Sequence, residues 1–252
     1  MEFADKSVLI TGSSRGIGYA AAMEFLSLGA RVAINGRTDQ STRAAMEKLG
    51  SGNRLVAAPG DIGTVAGCEA AVGAAIAGLG GLDVLVNNAG VAYDASIEDS
   101  DEAIWDRTLD INLKGTYFCS RAALSALRKS GGSIVNVASS GGLIGYAALT
   151  VYCASKGGVV NLTRAMAMEL APDVRVNCVC PGDVDTDMVR RDGFDRSDDP
   201  VAAERAAIEH APMKKIATPR EIGRAITYLA STDAGFITGA ALAIDGGSTA
   251  GR

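Results

Sequence analysis

Hydrophobic positions along this chain follow two alternating patterns. Short, nearly continuous apolar runs predict strands that are buried on both faces. Between them lie longer segments in which apolar residues recur at helical spacing. The predicted strands span residues 7–11, 31–35, 54–58, 84–86, 133–137, 174–179 and 241–244. The predicted helices span residues 16–28, 38–49, 64–79, 99–130, 150–170 and 219–230.

This alternation indicates the architecture. Parallel strands need crossover connections, and helical crossovers cover both faces of the sheet. The sequence therefore predicts an α/β fold, with a doubly wound, Rossmann-like parallel sheet of seven strands, in one domain that covers residues 1–252. Only segment 183–218 is irregular, with a short predicted helix near 201–209. We expect this segment to be a substrate lid, and the alternative is an ordinary surface excursion.

Composition narrows the class of protein. Of the 252 residues, 48% are hydrophobic, which is enough for a substantial core. The net charge of −5, with no run of like charges, argues against a nucleic-acid partner. No apolar stretch approaches the ~20 residues of a membrane span, and the N-terminus lacks a signal-peptide pattern. Five cysteines without C-x-x-C spacing and a single histidine favour a cytoplasmic protein without a metal site.

A glycine-rich turn lies between the first predicted strand and the first predicted helix. Its sequence is Thr11-Gly12-Ser13-Ser14-Arg15-Gly16-Ile17-Gly18. Glycines there permit a tight turn and let backbone N–H groups approach a pyrophosphate, to which the helix N-terminus adds partial positive charge. The spacing is G-x3-G-x-G rather than G-x-G-x-x-G. Its position between strand and helix predicts dinucleotide binding.

The end of the second predicted strand should select the dinucleotide. An acidic residue there favours NAD, whereas a nearby arginine accommodates the 2′-phosphate of NADP. The chain has a glycine in the place of the acid, followed by Arg37, and Arg15 could approach the same phosphate. Two guanidinium groups would each give it charge-assisted hydrogen bonds. We expect NADP(H) as the cofactor; Asp39 keeps NAD(H) as the alternative, and both arginines could instead be solvated surface residues.

Two further segments carry candidate chemistry. Tyr152 and Lys156 are four residues apart in a predicted helix and therefore share a face. A nearby ammonium group would lower the tyrosine pKa from about 10 toward neutrality, which suits a proton donor and acceptor. Ser139 and Ser140 follow a predicted strand, where a hydroxyl could hydrogen-bond a substrate oxygen. Taken alone, the Tyr–Lys pair is more typical of an ordinary helix surface.

Taken together, these segments resemble the short-chain dehydrogenase/reductase family in its single-domain form. The resemblance runs nearly end to end. Ser139 lies thirteen residues before Tyr152, as the family pattern requires, which selects Ser139 over Ser140. Further matching positions are Asp61, 87–90, Asn112, Pro181 and Gly182 with Thr186, 237–239 and 245–247.

The resemblance implies roles for these residues. Tyr152 would transfer the proton, Lys156 would lower the tyrosine pKa and hold the nicotinamide ribose, and Ser139 would polarise the substrate carbonyl. Asn112 would help to hold a water molecule in a proton relay. Ser139 and Tyr152 would contact the substrate, whereas Asn87 and Thr11 are expected to tie neighbouring strands together. The implied cofactor-binding residues are Gly12, Ser14, Arg15, Gly16, Ile17, Gly18, Arg37, Asp61, Ile62, Asn88, Ala89, Gly90, Tyr152, Lys156, Pro181, Gly182, Val184 and Thr186.

One check is independent of the family. Ligands of open parallel sheets bind at the carboxyl ends of the strands. Six of the candidate residues come just after different predicted strands, which puts them along that edge. They are Gly12, Arg37, Asp61, Asn88, Ser139 and Gly182.

We therefore expect an NADP(H)-dependent oxidoreductase that transfers hydride between nicotinamide and a ketone or secondary alcohol. The substrate stays open: the alternatives are a 3-oxoacyl thioester of acyl carrier protein or CoA, or, with NAD, a sugar, polyol or cyclic alcohol. A non-catalytic dinucleotide-binding protein would not need Tyr152 and Lys156. The resemblance also implies a homotetramer or homodimer, with tetramer contacts through the predicted helices 99–130 and 150–170 and the last strand. His210 is expected at the surface or in the lid.

Overall fold

A computed structural model describes residues 2–50 and 52–251 of the chain. Its central feature is a seven-stranded sheet with the order β3-β2-β1-β4-β5-β6-β7, in which all neighbouring strands are parallel. The strands are β1 (Ser7–Ile10), β2 (Arg31–Ile34), β3 (Leu55–Ala57), β4 (Val84–Asn87), β5 (Ser133–Val137), β6 (Arg175–Pro181) and β7 (Ala241–Ile244). The predicted doubly wound parallel sheet is confirmed.

Helices cover both faces of this sheet. Successive residues of a strand point to opposite faces, so Val8 and Ile10 of β1 pack into one core cluster and Leu9 into the other. The first cluster contains residues of α1 and α9, and the second contains residues of α3 and α5. The helices are α1 (Gly16–Ser27), α2 (Asp39–Leu49), α3 (Val65–Leu79), α4 (Glu102–Leu109), α5 (Gly115–Ser130), α6 (Thr150–Leu170), α7 (Asp187–Arg190), α8 (Pro200–His210) and α9 (Pro219–Ala230).

The N-terminus of α1 differs from those of other helices. Thr38 caps α2 and Thr218 caps α9, each through a hydrogen bond from a backbone N–H of the first turn. Arg15, the N-cap of α1, makes no side-chain capping bond, and the first turn contains no acidic residue. The first N–H groups of a helix have no partner within the helix. The first backbone N–H groups of α1 therefore face the glycine-rich turn and receive no side-chain acceptor from the N-cap residue.

Two boundaries differ from the prediction. The single helix expected over 99–130 begins only at Glu102 and is interrupted by a π-helical segment, Asp110–Lys114, between α4 and α5. Apolar periodicity cannot distinguish one wide turn from an ordinary one. Strand β6 continues to Pro181 because it pairs with β7 as far as Ile244. Within the described residues, no helix combines the length and the apolar character needed to cross a bilayer.

Candidate active site

The carboxyl edge of the sheet brings the predicted catalytic residues together. Ser139 lies two residues beyond β5. Lys156, on α6, donates a hydrogen bond from Nζ to the backbone carbonyl of Val137, the last residue of that strand (2.8 Å). Tyr152 lies one helical turn before Lys156, and its ring centre is 5.8 Å from the Lys156 Nζ. The side chains of Ser139 and Lys156 are buried.

Hydrogen bonds set the direction of the Ser139 hydroxyl. Its Oγ accepts the backbone N–H of Gly141 at 3.0 Å. The Ser139 side chain also neighbours the Tyr152 hydroxyl and lowers the pKa of that group against the effect of burial. Because a backbone N–H can only donate, Ser139 keeps its own proton for a second partner. That partner is the phenol of Tyr152 or an oxygen atom placed beside it.

The pKa of Tyr152 shifts in the direction opposite to the prediction. Burial raises it to about 12, and the hydrogen bond with Ser139 offsets only part of the rise. Burial also lowers the pKa of Lys156 to about 8. The expectation that the tyrosine pKa moves toward neutrality is therefore wrong. The reason is physical: desolvation disfavours both charged forms, and the Lys156 ammonium is directed at Val137.

Asn112 lies in the π-helical segment and is almost completely buried. Its Oδ1 accepts the N–H of Val91 at 2.8 Å, and its Nδ2 donates to the Val91 carbonyl at 2.9 Å and to the Ser155 hydroxyl at 3.0 Å. Ser155 immediately precedes Lys156. The π turn thus positions the Asn112 amide so that its hydrogen bonds connect the loop after β4 with α6. Single π turns are frequent at functional sites.

The glycine-rich turn after β1 has a backbone suited to glycine. Gly12 and Gly16 have φ values of +62° and +59°. A Cβ on Gly12 would lie 2.8 Å from the Cα of Ala89, and one on Gly18 would lie 2.7 Å from the Gly12 carbonyl oxygen. Glycine therefore lets the turn approach the β4 end closely and keeps the N-terminus of α1 accessible. This arrangement fits the pyrophosphate of a dinucleotide.

Two asparagines fix the position of this turn. The Asn35 Oδ1, after β2, accepts the N–H of Gly12 at 2.9 Å, and its Nδ2 donates to the Ala58 carbonyl at 2.8 Å. Asn88, after β4, donates from Nδ2 to the carbonyls of Thr11 and Gly12 at 2.9 and 3.1 Å. The Asn88 side chain therefore supports the loop through its amide nitrogen.

Asn87 and Thr11 make hydrogen bonds between neighbouring strand ends. Asn87 donates from Nδ2 to the Asn136 Oδ1 on β5 at 2.9 Å. The Thr11 hydroxyl accepts the N–H groups of Asn88 and Ala89 at 3.0 and 3.1 Å. The expected strand-tying roles of Asn87 and Thr11 are confirmed. Gly90 lies beside Lys156, since a Cβ there would be 3.3 Å from the Lys156 Nζ.

The segment after β2 leaves Arg37 exposed. Arg37 forms no salt bridge or hydrogen bond with other described residues, whereas Asp39 is bound by Arg43 at 2.7 Å. Gly36 is enclosed: a Cβ there would come within 2.6 Å of the Ser41 hydroxyl oxygen. An acidic side chain at position 36 would require its surroundings to move. Arg15, in the glycine-rich turn, lies 3.7 Å from Asp187 of α7.

The remaining predicted cofactor residues lie after β3 and at the end of β6, on the same edge of the sheet. The Asp61 Oδ1 accepts the N–H of Gly63 at 3.0 Å, its Oδ2 lies 3.6 Å from Arg107, and Ile62 is buried. On the other side, Thr186 meets the glycine-rich turn, since a Cβ on Gly16 would be 3.5 Å from its Cγ2. Pro181 and Val184 are buried, and Gly182 packs against Asp245.

Sequence reasoning missed several residues of this region. Asn35 was not expected to hold the glycine-rich turn, although a polar residue directly after an apolar strand is a usable signal. Cys153 was not considered as part of the site, although a Cβ on Gly141 would lie 3.3 Å from the Cys153 Sγ and 3.5 Å from the Ser139 Oγ. Its neighbour Tyr152 already had a role, so adjacency alone could have drawn attention to it. The contact between Asp61 and Arg107 could not be found, because it joins distant segments.

The geometry defines a dinucleotide-binding α/β protein with a Ser–Tyr–Lys group at the carboxyl edge of its sheet. A family model described as enoyl-(acyl carrier protein) reductase matches residues 12–249. A short-chain dehydrogenase/reductase (glucose/ribitol dehydrogenase) of Brucella melitensis has a similar structure, with a TM-score of 0.88, 31% identity and 98% of each chain covered. The chain belongs to the short-chain dehydrogenase/reductase family.

Two relatives indicate the range of reactions. Trans-4-hydroxycyclohexanecarboxylate dehydrogenase of Sinomonas cyclohexanicum is 39% identical, over 99% of this chain and 95% of its own. Meso-2,3-butanediol dehydrogenase of Serratia marcescens is also 39% identical, over 99% and 97%. The chain is accordingly an oxidoreductase of alcohols and ketones that uses a nicotinamide dinucleotide.

Proposed function

We propose that this protein is an NADP(H)-dependent oxidoreductase that interconverts a small ketone and the corresponding secondary alcohol. One observation carries the proposal: Ser139, Tyr152 and Lys156 meet at the same sheet edge as the glycine-rich turn. When bound, the nicotinamide dinucleotide supplies or accepts the hydride. The proton must then come from, or go to, the protein.

Tyr152 is the proposed proton donor and acceptor. Its raised pKa keeps the phenol protonated at neutral pH, so it can donate a proton to a substrate carbonyl oxygen in the reducing direction. Ser139 contributes a second hydrogen bond to that oxygen, because its acceptor side is occupied by Gly141. Lys156 would hold the nicotinamide ribose. Asn112, which is held by hydrogen bonds to Val91 and Ser155, would help to hold the water molecule of the proton relay.

The preference for NADP(H) over NAD(H) rests on the segment after β2. Arg37 is exposed and unpaired among the described residues, and glycine stands at position 36, where an acidic side chain that reads a ribose hydroxyl would require the Ser41 side chain to move. Asp39, the one acid that favours NAD(H), is bound to Arg43. Arg15 would add a second guanidinium to the 2′-phosphate. The other proposed cofactor contacts are Gly12, Ser14, Gly16, Ile17, Gly18, Asp61, Ile62, Asn88, Ala89, Gly90, Pro181, Gly182, Val184 and Thr186.

Segment 183–218 is proposed to cover the substrate. Arg190 of α7 holds it together, with bonds of 2.7 Å to Asp185 and 2.6 Å to Glu204 of α8. The names of the relatives favour a cyclic alcohol or a diol as the substrate class. A 3-oxoacyl thioester of acyl carrier protein or CoA is the second candidate, favoured by the description of the matching family model. A homotetramer or homodimer in the cytoplasm is the proposed setting.

The direct test removes the Tyr152 hydroxyl. Tyr152→Phe should abolish ketone reduction, by at least about 100-fold in kcat, since general acid catalysis contributes this much or more. NADPH binding, measured by fluorescence, should stay within about twofold because the ring remains. Tyr228→Phe, at an exposed tyrosine on α9, is the matched control. Turnover that survives in Tyr152→Phe would refute the mechanism.

A further inference from the structure

The start of segment 183–218 touches the glycine-rich turn at two points. A Cβ on Gly16 would lie 3.5 Å from the Cγ2 of Thr186, the residue before α7. One residue further along, the Asp187 Oδ2 lies 3.7 Å from the Nη1 of Arg15. The ion pair of Arg15 and Asp187 therefore connects the turn that is proposed to bind the cofactor with the proposed lid.

Asp187 differs from the neighbouring carboxylates of the lid in the origin of its partner. Asp185 and Asp192 are bound by arginines of the same segment, at 2.7 and 3.0 Å. In the described part of the chain, the one cation that forms a salt bridge with Asp187 is Arg15, and Arg15 forms no other salt bridge there. An anion that binds the Arg15 guanidinium must therefore compete with the Asp187 carboxylate.

The ion pair is open to solvent, which makes its partners exchangeable. The side chains of Arg15 and Asp187 are 64% and 57% exposed. An exposed ion pair is weak, because water screens the attraction between the two charges. A phosphate group has three strong acceptor oxygens and can bind a guanidinium group through two parallel, charge-assisted hydrogen bonds. The Arg15 guanidinium can therefore leave Asp187 for a phosphate without displacing buried neighbours.

We propose that Asp187 is a specificity-determining residue for the coenzyme, because it binds Arg15 in the free enzyme and competes for it with the 2′-phosphate of NADP(H). The inference rests on the proposed function, in which Arg15 and Arg37 bind that phosphate. NAD(H) has a hydroxyl in place of the phosphate and leaves the ion pair of Arg15 and Asp187 intact. Asp187 therefore lowers the affinity for NADP(H) selectively and limits the preference for it over NAD(H).

The experiment measures the dissociation constants of NADPH and NADH by fluorescence for the wild type, Asp187→Asn, Arg15→Gln and the double variant. Asp187→Asn should bind NADPH about two- to fivefold more tightly than the wild type, as the loss of an exposed ion pair allows, and NADH within about 1.5-fold of it. In the Arg15→Gln background, Asp187→Asn should change the ratio of the two constants by less than about 1.5-fold, because its partner is absent. Asp187→Glu keeps the carboxylate and should keep the wild-type ratio.

Asp198→Asn is the matched control, because it removes one charge from the same segment at an exposed residue without a salt bridge to the described residues. It should leave both constants unchanged. Unchanged NADPH affinity in Asp187→Asn, equal gains for both coenzymes, or the same gain in the Arg15→Gln background would each overturn the inference and leave the proposed function standing. A wild type that binds NADPH no more tightly than NADH would overturn the proposed coenzyme and the inference together.

Discussion

Lys156 is an ammonium group enclosed by protein, with the Val137 carbonyl as its hydrogen-bond partner. Its pKa falls from 10.5 to about 8 because burial penalises the charged form. The unfolded chain therefore binds more protons than the folded chain between pH 8 and 10.5, and stability rises with pH across this range. Below pH 8 the full cost of the buried charge is present.

This cost predicts a stabilising substitution. Lys156→Met should raise the free energy of unfolding at pH 7 by about 2 kcal/mol, since about 3 kcal/mol of charge burial is relieved and one hydrogen bond is lost. The gain should shrink toward zero as the pH approaches 10. Urea unfolding of both proteins at pH 6.5–10 measures it. A variant less stable at pH 7, or a gain independent of pH, would contradict the assignment.

Arg37 provides the second prediction at this scale. Arg37→Asp should raise the KM for NADPH at least about tenfold, because a charge-assisted contact becomes a repulsion. The KM for NADH should change by less than about threefold. Lys48→Asp, which makes the same charge change at the far end of α2, should affect neither. Equal losses for both cofactors would rule out the 2′-phosphate role.

At the level of elements, α1 depends on close contact between its first turn and two loops. A Cβ on Gly18 would lie 2.4 Å from the Asn88 Nδ2 and 2.7 Å from the Gly12 carbonyl oxygen. The Asn88 amide holds that carbonyl, so neither neighbour can move without loosening the glycine-rich turn. The binding site and the start of the helix are therefore one packed unit.

Gly18→Ala should consequently lower the free energy of unfolding by about 2 kcal/mol, as overpacking does, and should weaken NADPH binding. Gly73→Ala is the matched control: it lies in α3, where an added Cβ meets nothing within 4 Å. It should stabilise the protein by about 0.5–1 kcal/mol through the better helix propensity of alanine. Thermal unfolding and NADPH fluorescence measure both effects. Unchanged cofactor binding in Gly18→Ala would show that the turn tolerates displacement.

The strands and the π turn differ in how well the sequence predicts them. The central strands β1, β4 and β5 are predicted within a few residues because they are buried along their whole length, which makes their sequences largely apolar. The π turn at Asn112 is missed, since its signal is one additional residue in a helical repeat. The direction of the Tyr152 pKa shift is missed because burial depends on packing between α6 and the loop after β5, which no local pattern encodes.

Across the whole molecule, several large apolar side chains stay exposed in the single chain. Met168 on α6 is 85% exposed, and Tyr117 on α5 and Leu242 on β7 are also exposed. Exposed apolar residues on neighbouring elements are typical of association sites. These elements are the ones through which the family resemblance predicts a tetramer.

Met168→Asp should therefore reduce the molar mass in solution from that of a tetramer or dimer toward that of the single chain. Light scattering coupled to gel filtration measures it. Met23→Asp, on α1 and 53% exposed, should leave the mass unchanged because α1 packs with α9, away from the predicted interface. A wild-type protein that elutes as a monomer would exclude the assembly.

Asn35 and Arg37 lie two positions apart, and one supports the framework whereas the other is proposed to bind the cofactor. Asn35 is buried and joins the ends of three strands through its amide, whereas Arg37 extends into solvent and supports nothing. In the proposed cofactor site, substitutions at position 37 would therefore change coenzyme preference while the framework beneath it stays intact. Exchanging Asn35 would instead disturb the loops after three strands at once.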